Sequence, residues 1–273
     1  MFFNISDFFA YYIFLKIIRN KMQNEGYVSI DIHDKVGLVT FFHPKSNSLP
    51  GTILQKLADT ITEASANENV NVIVLKSDGE KAFCAGASFD ELVQINDFET
   101  GKKFFMGFSK VINAIRKSPK FVIARIQGKA VGGGVGLAAA ADYALAYKDS
   151  SIKLSEFALG IGPFVVGPAV ERKIGNAAFS QISIDTEWYN STWALNKGLY
   201  ANVYYTIDDL NDAVTTLAAK LATMSPDAAV ELKKIFWQGT ENWDELLESR
   251  AEISGRLVLS DFTKNFINEF KSK

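Results

Sequence analysis

Cysteine is almost absent from this chain. A single residue, Cys84, cannot form an intrachain disulfide, and a reducing, cytoplasmic setting is expected. Histidine is nearly as scarce. His33 and His43 are the only two, both near the ends of N-terminal strands, so the chain lacks an ordinary zinc ligand set and no metal is expected. An excess of positive charge is missing as well. Twenty-nine basic residues against 31 acidic ones leave a formal net charge of −2, which gives no sequence-independent grip on nucleic acid. A polyanionic ligand would instead need a local basic patch.

Membrane-spanning character is also lacking. The apolar run over residues 8–15 is too short to cross a bilayer. Lys16, Arg19 and Lys21 follow that run, whereas a secretory signal carries its positive charge first. Residues 1–21 read as an apolar extension, either an interfacial or partner-binding helix or sequence ahead of a start at Met22. No catalytic group is expected there, and no integral membrane segment.

What remains has the composition of an ordinary globular protein, with 48% hydrophobic and 22% charged residues. Its most informative stretch is 121–140. The apolar, partly β-branched residues 121–126 predict a buried strand, and the alanines after Gly136 predict a closely packed helix. Between them, Gly132, Gly133, Gly134 and Gly136 let the backbone approach another group closely. A helix opening on such a loop aims unpaired N–H groups and its positive dipole end at an oxygen carrying negative charge. Residues 70–75 and the small-residue loop 82–88 repeat the design. Two such loops meeting at one oxygen would form an oxyanion hole.

Read together, Ala82-Phe-Cys-Ala-Gly-Ala87-Ser and Gly128-Lys-Ala-Val-Gly-Gly133-Gly resemble the enoyl-CoA hydratase/isomerase (crotonase) family, from about Tyr27 to the C-terminus. The resemblance implies an α/β fold, a spiral of β-β-α turns over residues 22–205, followed by a helical trimerisation region over 206–273. It implies an acyl-CoA thioester as substrate, with coenzyme A part of that substrate and no separate cofactor. The backbone N–H groups of Ala87 and Gly133 would hold the thioester oxygen. Lys45, Ser46, Ser48 and Ala85 would cradle coenzyme A, joined by Lys264 and Phe266 near its nucleotide end. A homotrimer or hexamer is the implied assembly.

Other elements follow from pattern. Alternation over 27–33 and 36–42 with a turn at Asp34-Lys35 predicts a hairpin, and helices are expected over 52–66 and 98–118. From residue 208 onward the chain reads as helical, with Gly255 the expected break in the segment 243–270.

Glu156 ends a short strand-like run and begins a glycine-bearing apolar turn. Drawn into such surroundings, its carboxylate would have a raised pKa suited to proton transfer. By resemblance it matches the family's catalytic glutamate, twenty residues after Gly136. Hydratases of the family usually carry a second glutamate where this chain has Gly136. A lone glutamate resembles the isomerases, in which one carboxylate moves a proton between two carbons of a thioester-stabilised dienolate. Asp90 and Glu91 are alternative second carboxylates. Hydration by another group, including of branched substrates such as methylglutaconyl-CoA, and a catalytically silent acyl-CoA-binding protein are the competing readings. The stretch 134–139 also fits the dinucleotide pattern G-x-G-x-x-A, with Glu156 downstream, although Lys129 to Gly133 separate it from its strand.

Overall fold

The computed structural model describes residues 25–271, so the N-terminal extension expected over 1–21 lies outside the described residues. The predicted hairpin forms as β1 (Tyr27–His33) and β2 (Val36–Phe42), antiparallel and in register from Tyr27 opposite Phe42 to His33 opposite Val36. Asp34 and Lys35 both take positive φ, 47° and 66°, the backbone of a two-residue turn whose twist matches that of the strands.

The chain then winds through β3 (Ser48–Leu49), α1 (Gly51–Ala66), β4 (Val72–Ser77), β5 (Ala82–Cys84), β6 (Gly86–Ala87), α2 (Phe89–Leu92), α3 (Phe98–Lys117), β7 (Phe121–Ile126), β8 (Lys129–Val131), α4 (Gly133–Ala140), β9 (Tyr143–Tyr147) and β10 (Ser151–Lys153). A 3₁₀ turn, Phe157–Leu159, leads to α5 (Gly167–Asp185), β11 (Tyr189–Asn190), α6 (Ser191–Asn196) and β12 (Asn202–Tyr204). Four helices close the chain: α7 (Ile207–Ala222), α8 (Pro226–Phe236), α9 (Trp243–Leu257) and α10 (Asp261–Lys271).

Each pass of the middle of the chain feeds two sheets. The larger has the order β1-β2-β4-β7-β9-β12 and the smaller β11-β10-β8-β5, so β4/β5, β7/β8 and β9/β10 are successive turns of a spiral. Within the smaller sheet β5, β8 and β10 run parallel, with Cys84 opposite Ala130 and Ala130 opposite Ile152. Their carboxyl ends therefore emerge side by side, where open α/β sheets bind ligands. The apolar face of α7 covers the outer side of the large sheet through Leu210, Val214, Ala218 and Ala222, against Val72, Val74, Ile123 and Leu145.

Gly255 does not break the last helical segment. α9 continues to Leu257, and the chain leaves it only at 258–260. A Cβ on Gly255 would stand 2.7 Å from Lys102 N, and one on Gly101 would stand 3.0 Å from Gly255 O. The glycines let α3 and α9 touch backbone to backbone, and that packing outweighs glycine's cost in a helix, about 1 kcal/mol. Among the described residues, no helix is long and apolar enough to cross a membrane.

Candidate active site

Three consecutive turns of the spiral each deliver one part of the site from the end of a strand. β6 ends at Ala87, β8 is followed by Gly132 and Gly133, and β10 is followed by Glu156.

The first loop is held by its neighbours. Leu49 O accepts from Ser88 N at 2.9 Å, and since successive N–H groups of a strand alternate in direction, that of Ala87 faces away from β3. Ser48 Oγ donates to Ala87 O at 2.9 Å, and Ala85 N donates to Asn47 O at 3.2 Å. Asn47 is buried at a positive φ of 56°. Its side chain accepts from His43 N at 2.7 Å and donates to Asp78 O at 2.9 Å and Ala82 O at 3.0 Å. Gln127 adds bonds to Ser77 Oγ, Gly79 O and Ala82 O.

Glycine brings the second loop into contact with the first. A Cβ on Gly86, at φ 92°, would lie 3.1 Å from Val131 O and 3.8 Å from Gly133 N. Gly133 is the first residue of α4, where N–H groups have no partner within the helix. A Cβ there would strike the Phe108 ring at 2.2 Å, and one on Gly134 would lie 2.3 Å from Cys84 O. Cys84 itself is buried, and burial pushes its thiol up to about 12, which leaves no thiolate to act as a nucleophile. The G-x-G-x-x-A stretch lies inside α4, not in the turn between strand and helix that a dinucleotide would need.

Glu156 approaches from the third turn. A Cβ on Gly132, at φ 51°, would come within 2.6 Å of Glu156 Oε1, so only glycine admits the carboxylate here. Although the residue as a whole is partly exposed, its Oε2 is buried without a hydrogen-bond partner. Burial raises its pKa to about 7, against the lowering effect of the backbone N–H groups of Ser155 and Glu156.

These groups share a cavity of about 310 Å³, at the small end of ligand sites. Ser48, Ala85, Ala87, Gly133, Glu156 and Phe266 all line it. Lys45, Ser46 and Lys264 do not: Lys45 pairs with Asp90, and all three are exposed. Glu91 accepts from Gly51 N at 2.8 Å, so neither alternative carboxylate faces the cavity. Among the described residues, Glu156 is the one acidic or basic side chain in the wall.

Gly136 has no room for a substituent. A Cβ there would lie 2.6 Å from Val166 Cγ1 and 3.6 Å from Ile112 Cδ1. Phe104, Phe105 and Phe108, which share one stripe of α3 and read as core or an acyl-pocket wall, line the cavity, whereas Val166 and Phe164 reach it through tertiary packing, with the apolar residues of 161–166 their one local sign.

The family model described as enoyl-CoA hydratase/isomerase matches residues 31–266. A short-chain-enoyl-CoA hydratase of Clostridium acetobutylicum is 28% identical over 249 residues, covering 90% of this chain and 95% of the relative. The ethylmalonyl-CoA decarboxylase of Gallus gallus is 26% identical over 235 residues, 83% of this chain and 78% of the relative. In fold, the crystal structure of an enoyl-CoA hydratase from Bacillus halodurans superposes with a TM-score of 0.83 at 21% identity, covering 89% of this chain and 99% of that one. The spiral and a family model matched over most of the chain lead to one assignment: the chain belongs to the enoyl-CoA hydratase/isomerase family.

Proposed function

We propose that this enzyme moves a double bond within an enoyl thioester of coenzyme A, using Glu156 alone to carry the proton. The observation that carries the reading is the pairing of one carboxylate, its Oε2 without a partner, with a filled space at position 136. Starting from a 3-enoyl thioester, Glu156 takes a proton from C2, and the electrons pass to the thioester oxygen as a dienolate. The N–H groups of Ala87 and Gly133 hold that oxygen. The same carboxyl group then returns the proton at C4, giving the 2-enoyl thioester; nothing is oxidised and no water is consumed. A group with its pKa near 7 is divided between acid and base at neutral pH, which suits both halves of the transfer. Donors of this kind are worth on the order of 100- to 1000-fold each.

Because no cation among the described residues lines the cavity, the acyl group is an uncharged hydrocarbon of modest length. A second carboxylate on the substrate would be buried unpaired beside Glu156, at a cost of several kcal/mol. The rest of coenzyme A would lie outside the cavity, beyond Ser48 and Ala85 toward Lys45, Ser46 and Lys264, and no separate cofactor takes part. A homotrimer or hexamer fits the apolar side chains that α8 exposes, Ile235 and Phe236 among them.

The Clostridium relative's name favours a second reading, hydration, in which Glu156 would also have to activate water. Mass-resolved product analysis with paired 2-enoyl and 3-enoyl substrates separates the two. Migration without a hydrated product is the expected result; a 3-hydroxyacyl product overturns it. Thioester binding without turnover would mean a silent binding protein.

A further inference from the structure

The turn that presents Glu156 is gripped from outside by the last helix. Glu156 O accepts from Leu159 N at 3.1 Å and from Ile161 N at 3.0 Å, and Gly160 reverses the chain at φ 79°. Thr263, fully buried on α10, donates its hydroxyl to Leu159 O at 2.9 Å; Leu257 O, at 3.2 Å, is the second acceptor within reach. Ser260 Oγ donates to Thr263 Oγ1 at 3.2 Å, which leaves the threonine hydrogen free for a carbonyl. A Cβ on Gly160 would stand 2.8 Å from Thr263 Oγ1 and 2.4 Å from the Phe262 ring, so turn and helix meet at van der Waals contact.

The same helix closes the cavity. Phe266, three residues beyond Thr263, lines it, and Ile267 packs with Leu92, Ile161 and Val258. No charged side chain faces Glu156 from β6, α2, α3, the loop between β8 and α4, residues 161–166 or α10. The burial of Glu156 Oε2 therefore depends on how well these elements stay closed.

We propose that Thr263 is a positioning residue: its bond to Leu159 O latches α10 onto the Glu156 turn, which fixes the carboxylate and keeps water from it. This rests on the reading of Glu156 as the proton carrier. Without the latch, α10 loosens, water reaches Oε2, and the carboxylate titrates closer to its ordinary range.

Thr263→Val removes the hydroxyl at nearly constant shape, and Thr263→Ser keeps it. The readouts are the Glu156 titration, followed by ¹³C NMR of glutamate-labelled protein and assigned with Glu156→Gln, and the pH–rate profile. In Thr263→Val the titration should move down by a pH unit or more, with kcat falling about tenfold or more and KM changing less; Thr263→Ser should match the wild type in both. A wild-type titration with kcat within twofold in Thr263→Val would overturn the latch.

If the valine variant does not fold, amide exchange in the wild-type protein decides. Leu159 and Ile161 N–H opening together with the α10 amides supports the latch, and independent opening contradicts it. Turnover retained by Glu156→Gln would instead sink the catalytic reading, and the titration alone would then judge the latch.

Discussion

Asp142 and Glu156 are both carboxylates drawn out of water, and the fold treats them in opposite ways. Asp142 accepts from Val122 N at 2.7 Å, Lys233 Nζ at 2.8 Å and Trp237 Nε1 at 3.1 Å. Lys233 is equally enclosed, its side chain 3% exposed, and it also donates to Lys120 O at 2.7 Å. Burial holds its ammonium below the ordinary lysine range, with Asp142 working in the opposite direction. Both oxygens of this carboxylate are bonded, three of its roughly four lone-pair sites being taken, and its work is to tie α8 to the junction of β7 and β9. Glu156 has an oxygen with no partner and a wall of hydrocarbon in front of it. Burial alone does not make a group reactive; burial with an unspent bonding capacity does.

Removing the carboxylate proposed to carry the proton should have the largest effect. Glu156→Gln is expected to slow turnover by roughly 100- to 10,000-fold while leaving thioester affinity nearly intact, as read by steady-state kinetics beside calorimetry. Removing one member of the bonded pair should do the reverse. Lys233→Met takes the bonded ammonium away from buried Asp142, and denaturant unfolding should show a loss of about 3–5 kcal/mol with kcat little changed in the folded fraction.

A third test uses pH. The folded pKa of Glu156, about 7, stands above the ordinary 4.5, so the folded state binds this proton more tightly than the unfolded chain does. The stability that this contributes is complete below about pH 4.5 and is lost as pH rises toward 7, a total of about 3 kcal/mol. Glu156→Gln has no such dependence. Its unfolding free energy relative to wild type should climb across that window, and parallel curves would remove the buried-carboxylate argument. The smallest effect concerns the filled space at 136. Gly136→Ala should cost about 1–3 kcal/mol, and Val166→Ala should recover part of it in a double-mutant cycle.

Much of this was legible in sequence because it depends on local rules. The hairpin at Asp34-Lys35 and the two strand-loop-helix units that carry Ala87 and Gly133 follow from alternation, glycine placement and small-residue loops, whereas the spiral that gathers them with Glu156 was implied by the family resemblance. What stayed hidden depends on residues distant in the chain. Gly255 reads as a helix breaker until Gly101 is placed against it. Val166 filling the space beside Gly136 and Thr263 gripping Leu159 carry no local signature, nor does the network through which Asn47 and Gln127 hold the first loop.

The central claim is that one dry carboxylate both takes and returns the proton, and isotope transfer tests it directly. A 3-enoyl thioester deuterated at C2 should be isomerised in ordinary water with part of the label appearing at C4 of the 2-enoyl product, because the proton on Glu156 exchanges slowly with solvent. Complete loss of the label to water, in an enzyme whose Glu156→Gln variant still turns over, would contradict it.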